Sequence, residues 1–151
     1  MTTFKEAPAV TRAVLQERMI GLIRAFGLHR PDETPCGQPV AVAEAHALME
    51  LARGEPLLQK ELAARLRLEK STVSRLAGAM ERRGWVERVR CPEDGRALEL
   101  RLTGTGRKVA ADISEARRVK FARIFDEVPE QKRVSVIEAL NVLEEAMTDE
   151  R

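Results

Sequence analysis

Apolar positions recur at helical spacing from near the start of the chain. Leu15, Met19, Leu22, Ile23 and Phe26 mark one face of a helix predicted over 9–28, and Val14 and Ile20 widen it. So broad a stripe on a terminal helix implies burial on more than one side. Pro31, Pro35, Gly37 and Pro39 then break any helix and predict a loop. A second helix is predicted over 42–53, with Ala45, Leu48, Met49 and Ala52 inward, ended by Gly54, Glu55 and Pro56. A short third helix over 58–66 places Leu58, Leu62, Ala63 and Leu66 on one face. Arg67, Leu68 and Glu69 form a tight turn into a fourth helix over 70–83, with Gly84 in the usual closing position.

The period then changes. Leu98, Leu100 and Leu102 alternate with Glu99, Arg101 and Thr103, which is strand spacing. Residues 85–90 offer a partner strand of poorer alternation. The segment Cys91-Pro-Glu-Asp-Gly-Arg96 between them is rich in turn formers, so the pair predicts a hairpin with a long charged tip. Thr103 suits the N-cap of a fifth helix running to about Phe125. Pro129 breaks it, and a last helix over 131–147 carries Val136, Leu140, Leu143 and Met147 on a heptad-like seam. The fold class expected is mainly α with a small β-hairpin.

Helices three and four, joined by a short turn, make the helix-turn-helix pattern. In the fourth helix Val73, Leu76, Ala77 and Met80 form a narrow apolar face. Ser71, Arg75, Gly78 and Arg82 lie opposite, flanked by Thr72, Ser74 and Ala79. A helix entering the major groove of DNA needs such a face: small residues permit close approach, hydroxyls reach phosphates or base edges, and an arginine reads guanine bidentately. Ser71 and Thr72 also sit where free backbone amides attract phosphate. The hairpin tip adds Arg90 and Arg96, in the place of a wing whose arginine enters a narrow minor groove. Asp94 is expected to hold Arg96 or a loop amide, alongside ordinary turn chemistry with Gly95.

Composition narrows the class. The 151 residues fit one domain, or a small domain with added helices. At 44% apolar the chain supports a core, and its 33% charged residues are mixed in sign. A net charge of +2 argues little alone, so any basic surface must be local. With 3% aromatic residues and no tyrosine, a stacking platform for single strands is excluded. Cys36 and Cys91 are too few for a disulfide framework. No segment resembles a signal peptide or approaches the roughly 18 apolar residues of a membrane span. A cytoplasmic protein with reduced thiols and no membrane association is expected.

The element order and the runs Leu62-Ala-Ala-Arg-Leu, Ser71-Thr-Val-Ser-Arg-Leu, Glu81-Arg-Arg-Gly-Trp-Val, Asp94-Gly-Arg96 and Leu102-Thr-Gly-Thr-Gly106 resemble the MarR family of bacterial winged helix-turn-helix regulators. The resemblance runs from about Ala9 to Met147. It implies one domain over 1–151, with a DNA-binding lobe over 42–103 and a helical dimerisation lobe from 9–28 and 104–147. It implies a homodimer on double-stranded DNA, with Ser71, Thr72, Ser74 and Arg75 facing DNA and Asp94 and Arg96 serving the wing. The residues give the dimer separate support: Val109, Ile113, Phe121, Ile124, Phe125, Val136, Leu140 and Leu143 exceed what a small winged-helix core covers. The function expected is a sequence-specific transcriptional regulator, a ligand-responsive repressor acting on an inverted-repeat operator, with DNA contacts from Ser71, Thr72, Ser74, Arg75, Arg82, Arg90, Asp94 and Arg96.

Other chemistry is weaker. His29, Cys36, Glu44 and His46 are ligand types around the second helix, but their spacing matches no zinc signature, and neither a metal nor a cofactor is expected. Cys91 beside Arg90 is a candidate redox thiol, set against a bystander role for both cysteines. The resemblance implies a small-molecule cleft bordered by the loop 29–39 and by His46 and Met49. No paired nucleophile and base, phosphate loop or metal-hydrolase spacing points to an enzyme. A winged-helix protein-binding module is the remaining alternative, against which stand the basic residues Arg75, Arg82 and Arg96 together.

Overall fold

The computed structural model describes residues 9–148, so the ends of the expected domain, 1–8 and 149–151, lie outside the described residues. The elements run α1 (Arg12–Phe26), α2 (Val42–Arg53), β1 (Leu57–Leu58), α3 (Gln59–Leu66), α4 (Lys70–Arg82), β2 (Val86–Arg90), β3 (Leu98–Leu102), α5 (Gly104–Glu127) and α6 (Glu130–Thr148). The predicted helices and both hairpin strands are present, with ends shifted by a few residues. The shifts have local causes. At the start of α1, Thr11 is extended and its hydroxyl accepts from the Val14 amide at 3.2 Å, so the helix begins after it. Gly27 closes α1 at φ +91°, donating to the Ile23 carbonyl.

The chain divides into two compact units between Ile113 and Ser114, within α5. In the first unit, the antiparallel sheet has strand order β1-β3-β2. Its register places Leu57 opposite Leu100, and Val86 opposite Leu102. Strand β1 went unpredicted because its two residues are too few to show a period. Leu58 is thus a strand residue and the N-cap of α3, not a member of its apolar face. Leucine has no side-chain acceptor, so Glu61 caps alone, accepting from the Leu58 amide at 2.9 Å. Arg67 takes the left-handed conformation, φ +55°, to close α3 and turn the chain into α4.

Leu48, Leu51, Leu62, Val73, Met80, Val86, Leu100 and Ile113 fill the core of this unit as its largest fully buried side chains. Two expectations need correction. Ala52 is exposed, and the inward face of α2 is Glu44, Ala45, Ala47, Leu48 and Leu51. The face is rotated because Glu44, a carboxylate, is accommodated inside by an arginine described below. Ile113 is buried and Val109 packs on the core, so neither belongs to the surplus apolar surface.

One close approach ties the hairpin to α5. The Thr103 amide donates to the Trp85 carbonyl at 3.0 Å, and the Thr103 hydroxyl donates to the Gly84 carbonyl. The same hydroxyl accepts from the Gly106 amide at 3.0 Å, capping α5 as expected. Gly106 lies so near that a Cβ there would stand 1.9 Å from the Trp85 oxygen. A glycine at this helical position is therefore required by contact with backbone, which cannot swing aside as a side chain can.

The second unit holds the remainder of α5 and α6. Arg133 stacks 4.0 Å from the Phe125 ring centroid and donates through Nε to the Val128 carbonyl, holding the turn between the helices. No described residue from Ser114 onward is buried.

The Gly106 contact gives a paired test. Gly106→Ala should lower stability by roughly 1–3 kcal/mol or more, as overpacking does. Gly104→Ala, where a Cβ meets nothing within 4 Å, should stay within about 0.5 kcal/mol. Urea denaturation of both variants checks this, and equal effects would refute the contact.

Candidate nucleic-acid interface

Helix α4 buries Val73, Ala77 and Met80 against the core, with Leu76 half-buried beside them. That fixes which residues face out. Ser71, Arg75 and Arg82 are exposed, and Thr72 and Ser74 are partly so. Arg75 has no ion pair among the described residues. The N-cap Glu69 makes no side-chain capping bond, and no acid lies in the first turn. The first amides of α4 thus keep their pull on an anion.

Gly78 is buried, contrary to its expected place on the open face. The cause is a cover of side chains. A Cβ at Gly78 would lie 3.4 Å from Arg82 Nη1 and 3.5 Å from Arg88 Nη2, so two guanidinium groups fold over the bare helix backbone. Arg88 was not among the expected site residues. Its Nη2 lies 3.2 Å from Glu81 Oε1, and its amide donates to Glu81 Oε2 at 3.3 Å, joining α4 to β2. The Arg88 side-chain hydrogen bonds hold the Glu81 carboxyl below the usual carboxylate range. The spacing of Glu81 and Arg88 around Gly84 was the only sequence signal for this bridge.

The wing is built largely from its own backbone. The Cys91 amide donates to Ala97 at 2.8 Å, and Ala97 donates to the Asp94 carbonyl at 2.9 Å. Asp94 Oδ1 accepts from the Arg96 amide at 3.0 Å. Of the two roles expected for Asp94, the one seen is the loop amide. Arg90 Nη1 donates to the Gly95 carbonyl at 3.1 Å, so this arginine braces the tip from within. The Arg96 side chain is exposed and has no ion pair among the described residues.

Among the described residues no three His, Cys, Asp or Glu side chains are placed to hold a metal ion. Glu44 instead faces Arg83, with Nη1 of the arginine 3.1 Å from Glu44 Oε2. The angle of approach is not that of a hydrogen bond, and this buried oxygen makes none. Arg83 also lies 4.8 Å from the Trp85 ring centroid. This pair anchors α2 to the residues that follow α4. Cys36 and Cys91 are both free thiols, partly buried.

The anchor is testable. Arg83→Met keeps the aliphatic stem but leaves the Glu44 carboxylate inside without a cation. It should cost about 1–3 kcal/mol of stability, and adding Glu44→Gln should restore part of the loss. Additive losses in a double-mutant cycle by thermal melting would show that the two do not interact.

No curated protein matches this sequence. Residues 39–97 match the model of the MarR family. Solved structures match over almost the full length. AbsC of Streptomyces coelicolor, a MarR family transcriptional regulator, is 19% identical, with TM-score 0.77 over 95% of this chain and 99% of that one. PcaV of the same organism, solved with its natural ligand, is 20% identical, with TM-score 0.71 over 93% and 99%. FabT of Streptococcus pneumoniae, solved with DNA, is 19% identical, with TM-score 0.69 over 92% and 93%. No helix among the described residues is long and apolar enough to cross a membrane. Residues 39–97 are thus similar to the MarR family, and the chain as a whole shares the winged-helix fold of AbsC, PcaV and FabT.

Proposed function

We propose that this protein is a cytoplasmic transcriptional regulator, a repressor rather than an enzyme, that binds double-stranded DNA in a sequence-specific way as a homodimer. The observation that carries the reading is the open face of α4. A helix pinned by Val73, Ala77 and Met80 presents Ser71 and Arg75 to solvent, flanked by Thr72 and Ser74, with no acid in its first turn. Such a face suits the major groove. The wing, with Arg90, Asp94 and Arg96, reaches DNA beside it, and Arg82 extends the basic surface along α4. The DNA complex of FabT supports the same use of the fold.

Apolar exposure supports the dimer. In the first unit, α1 exposes Leu15, Ile20, Leu22 and Ile23. In the second, Phe121, Ile124, Phe125, Val136, Ile137 and Leu140 are exposed to between 39% and 57%. Apolar surface repeated along whole helices is what a second copy covers. The helical lobe of 9–28 and 104–147 is read as that dimerisation region, and 42–103 as the lobe that binds DNA. A small-molecule effector completes the reading, since PcaV was solved with its natural ligand. Such a ligand acts by binding unequally to the DNA-competent and incompetent states.

Selection of duplexes from a random library should recover an inverted repeat with half-sites about 10 base pairs apart. Arg75→Ala should weaken binding to that duplex by roughly 1–3 kcal/mol and relax the preference at one base position. Fluorescence anisotropy measures both effects, and unchanged affinity and selectivity would remove Arg75 from the reading surface. Leu140→Glu, at an exposed seam position, should shift the dimer to monomer in sedimentation equilibrium at micromolar concentration. An unmoved equilibrium would place the interface elsewhere.

A further inference from the structure

Glu55, in the connector between α2 and β1, spends both carboxylate oxygens on other elements. Its Oε2 accepts from the Leu102 amide at the end of β3, and its Oε1 accepts from Arg107 Nη2 on α5. The sheet register explains the first bond. Leu57 pairs with Leu100 and Leu58 with Glu99, so the residue that would face Leu102 across the ladder is Glu55. Strand β1 begins only at Leu57, and the Glu55 side chain takes the place that a backbone carbonyl would hold in a longer strand. The second bond fastens the start of α5. In the same turn Thr103 bonds Gly84, and Gly106 lies against Trp85.

The ion pair adds little energy but has a long lever. The Arg107 side chain is 59% exposed and that of Glu55 22%, so water screens the pair and its contribution to stability is small. Helix α5 runs 24 residues, a length of about 36 Å. It buries Gly106, Ala110 and Ile113 in the first unit, and it carries the exposed Phe121, Ile124 and Phe125 into the second. A rotation of about 10° at its start moves its far end by about 6 Å. That is nearly two base-pair steps of about 3.4 Å each. A modest restraint at the first turn of α5 therefore has a geometric effect on the scale at which half-sites are spaced.

We propose that Glu55 is a positioning residue for operator spacing. Held by the Leu102 amide, its carboxylate fixes through Arg107 the direction in which α5 leaves the DNA-binding lobe, and so the separation of the two α4 helices in the dimer. The proposal rests on the reading of a dimer bound to an inverted repeat and deepens it. Base sequence is read by α4, while the distance between half-sites is selected by Glu55 and Arg107 without contact to DNA. Glu55→Gln keeps an acceptor for the Leu102 amide but removes the charge that faces Arg107. The start of α5 is then free to swing, and the dimer accepts a wider range of spacings.

The test uses the full chain, the duplex recovered by selection, and copies of that duplex with base pairs inserted or removed between the half-sites. Fluorescence anisotropy gives each Kd, and circular dichroism checks the fold. Glu55→Gln and Arg107→Gln should each lower the discrimination against altered spacings on the order of tenfold, and the double variant should lose no more than either alone. Arg107→Lys, which keeps the charge, should retain most of the wild-type discrimination. Affinity for a duplex with a single half-site, and the ranking of base changes within it, should not move. Arg107 is exposed, so Arg107→Gln decides the matter even where Glu55→Gln fails to fold. Unchanged discrimination in a folded variant overturns the proposal and leaves the DNA-binding reading intact. An equal loss of affinity at every spacing marks a merely structural role and overturns it too, as do additive effects of the two substitutions. If wild-type protein selects no inverted repeat, the dimeric DNA-binding reading fails and the role of Glu55 falls with it.

Discussion

The contact on which the first compact unit depends is between two backbones. The Trp85 carbonyl sits against Gly106 at a distance no side chain permits, and Thr103 bonds both sides of the approach. This fixes the place where the chain leaves α4, enters β2, returns along β3 and starts α5. Helix α4 is held at its far end by the same region: Gly84 ends it, Arg83 reaches Glu44 on α2, and Glu81 bonds Arg88 on β2. The outward set of residues on α4 is a consequence of these anchors. Rotating the helix would break the ion pair of a buried carboxylate and a strand contact at once.

Charge is distributed along this lobe in two ways. Some arginines serve structure: Arg83 faces a buried carboxylate, Arg88 bridges helix and strand, and Arg90 braces the wing tip. Others, with the lysines at the starts of α3 and α4, remain without acidic partners. A net charge of +2 conceals this division. Glu44 and Glu81 face the structural arginines Arg83 and Arg88, while Arg75 and Arg96 face no acid among the described residues.

Much of the fold was legible in the sequence. Each long helix announced itself by a 3.6-residue period, and the hairpin by alternation around a turn-rich segment. The open face of α4 followed because Val73, Ala77 and Met80 fix the opposite one. What escaped detection was tertiary. Strand β1 has too few residues to show a period, and Gly78 looked open because the arginines covering it include one from β2. The role of Glu44 was hidden because nothing local points to Arg83, which lies 39 residues further along the chain. Gly106 stood in a quoted motif, but only the approach of Trp85 explains it.

From Ser114 onward none of the described residues is buried. Covered by a second copy as proposed above, such a helical arm would have its folding free energy coupled to association, so the abundance of the protein would enter its stability as a ligand concentration does. In the homodimer proposed above, dilution would loosen the arm and part the two α4 helices together, and accumulation would do the reverse.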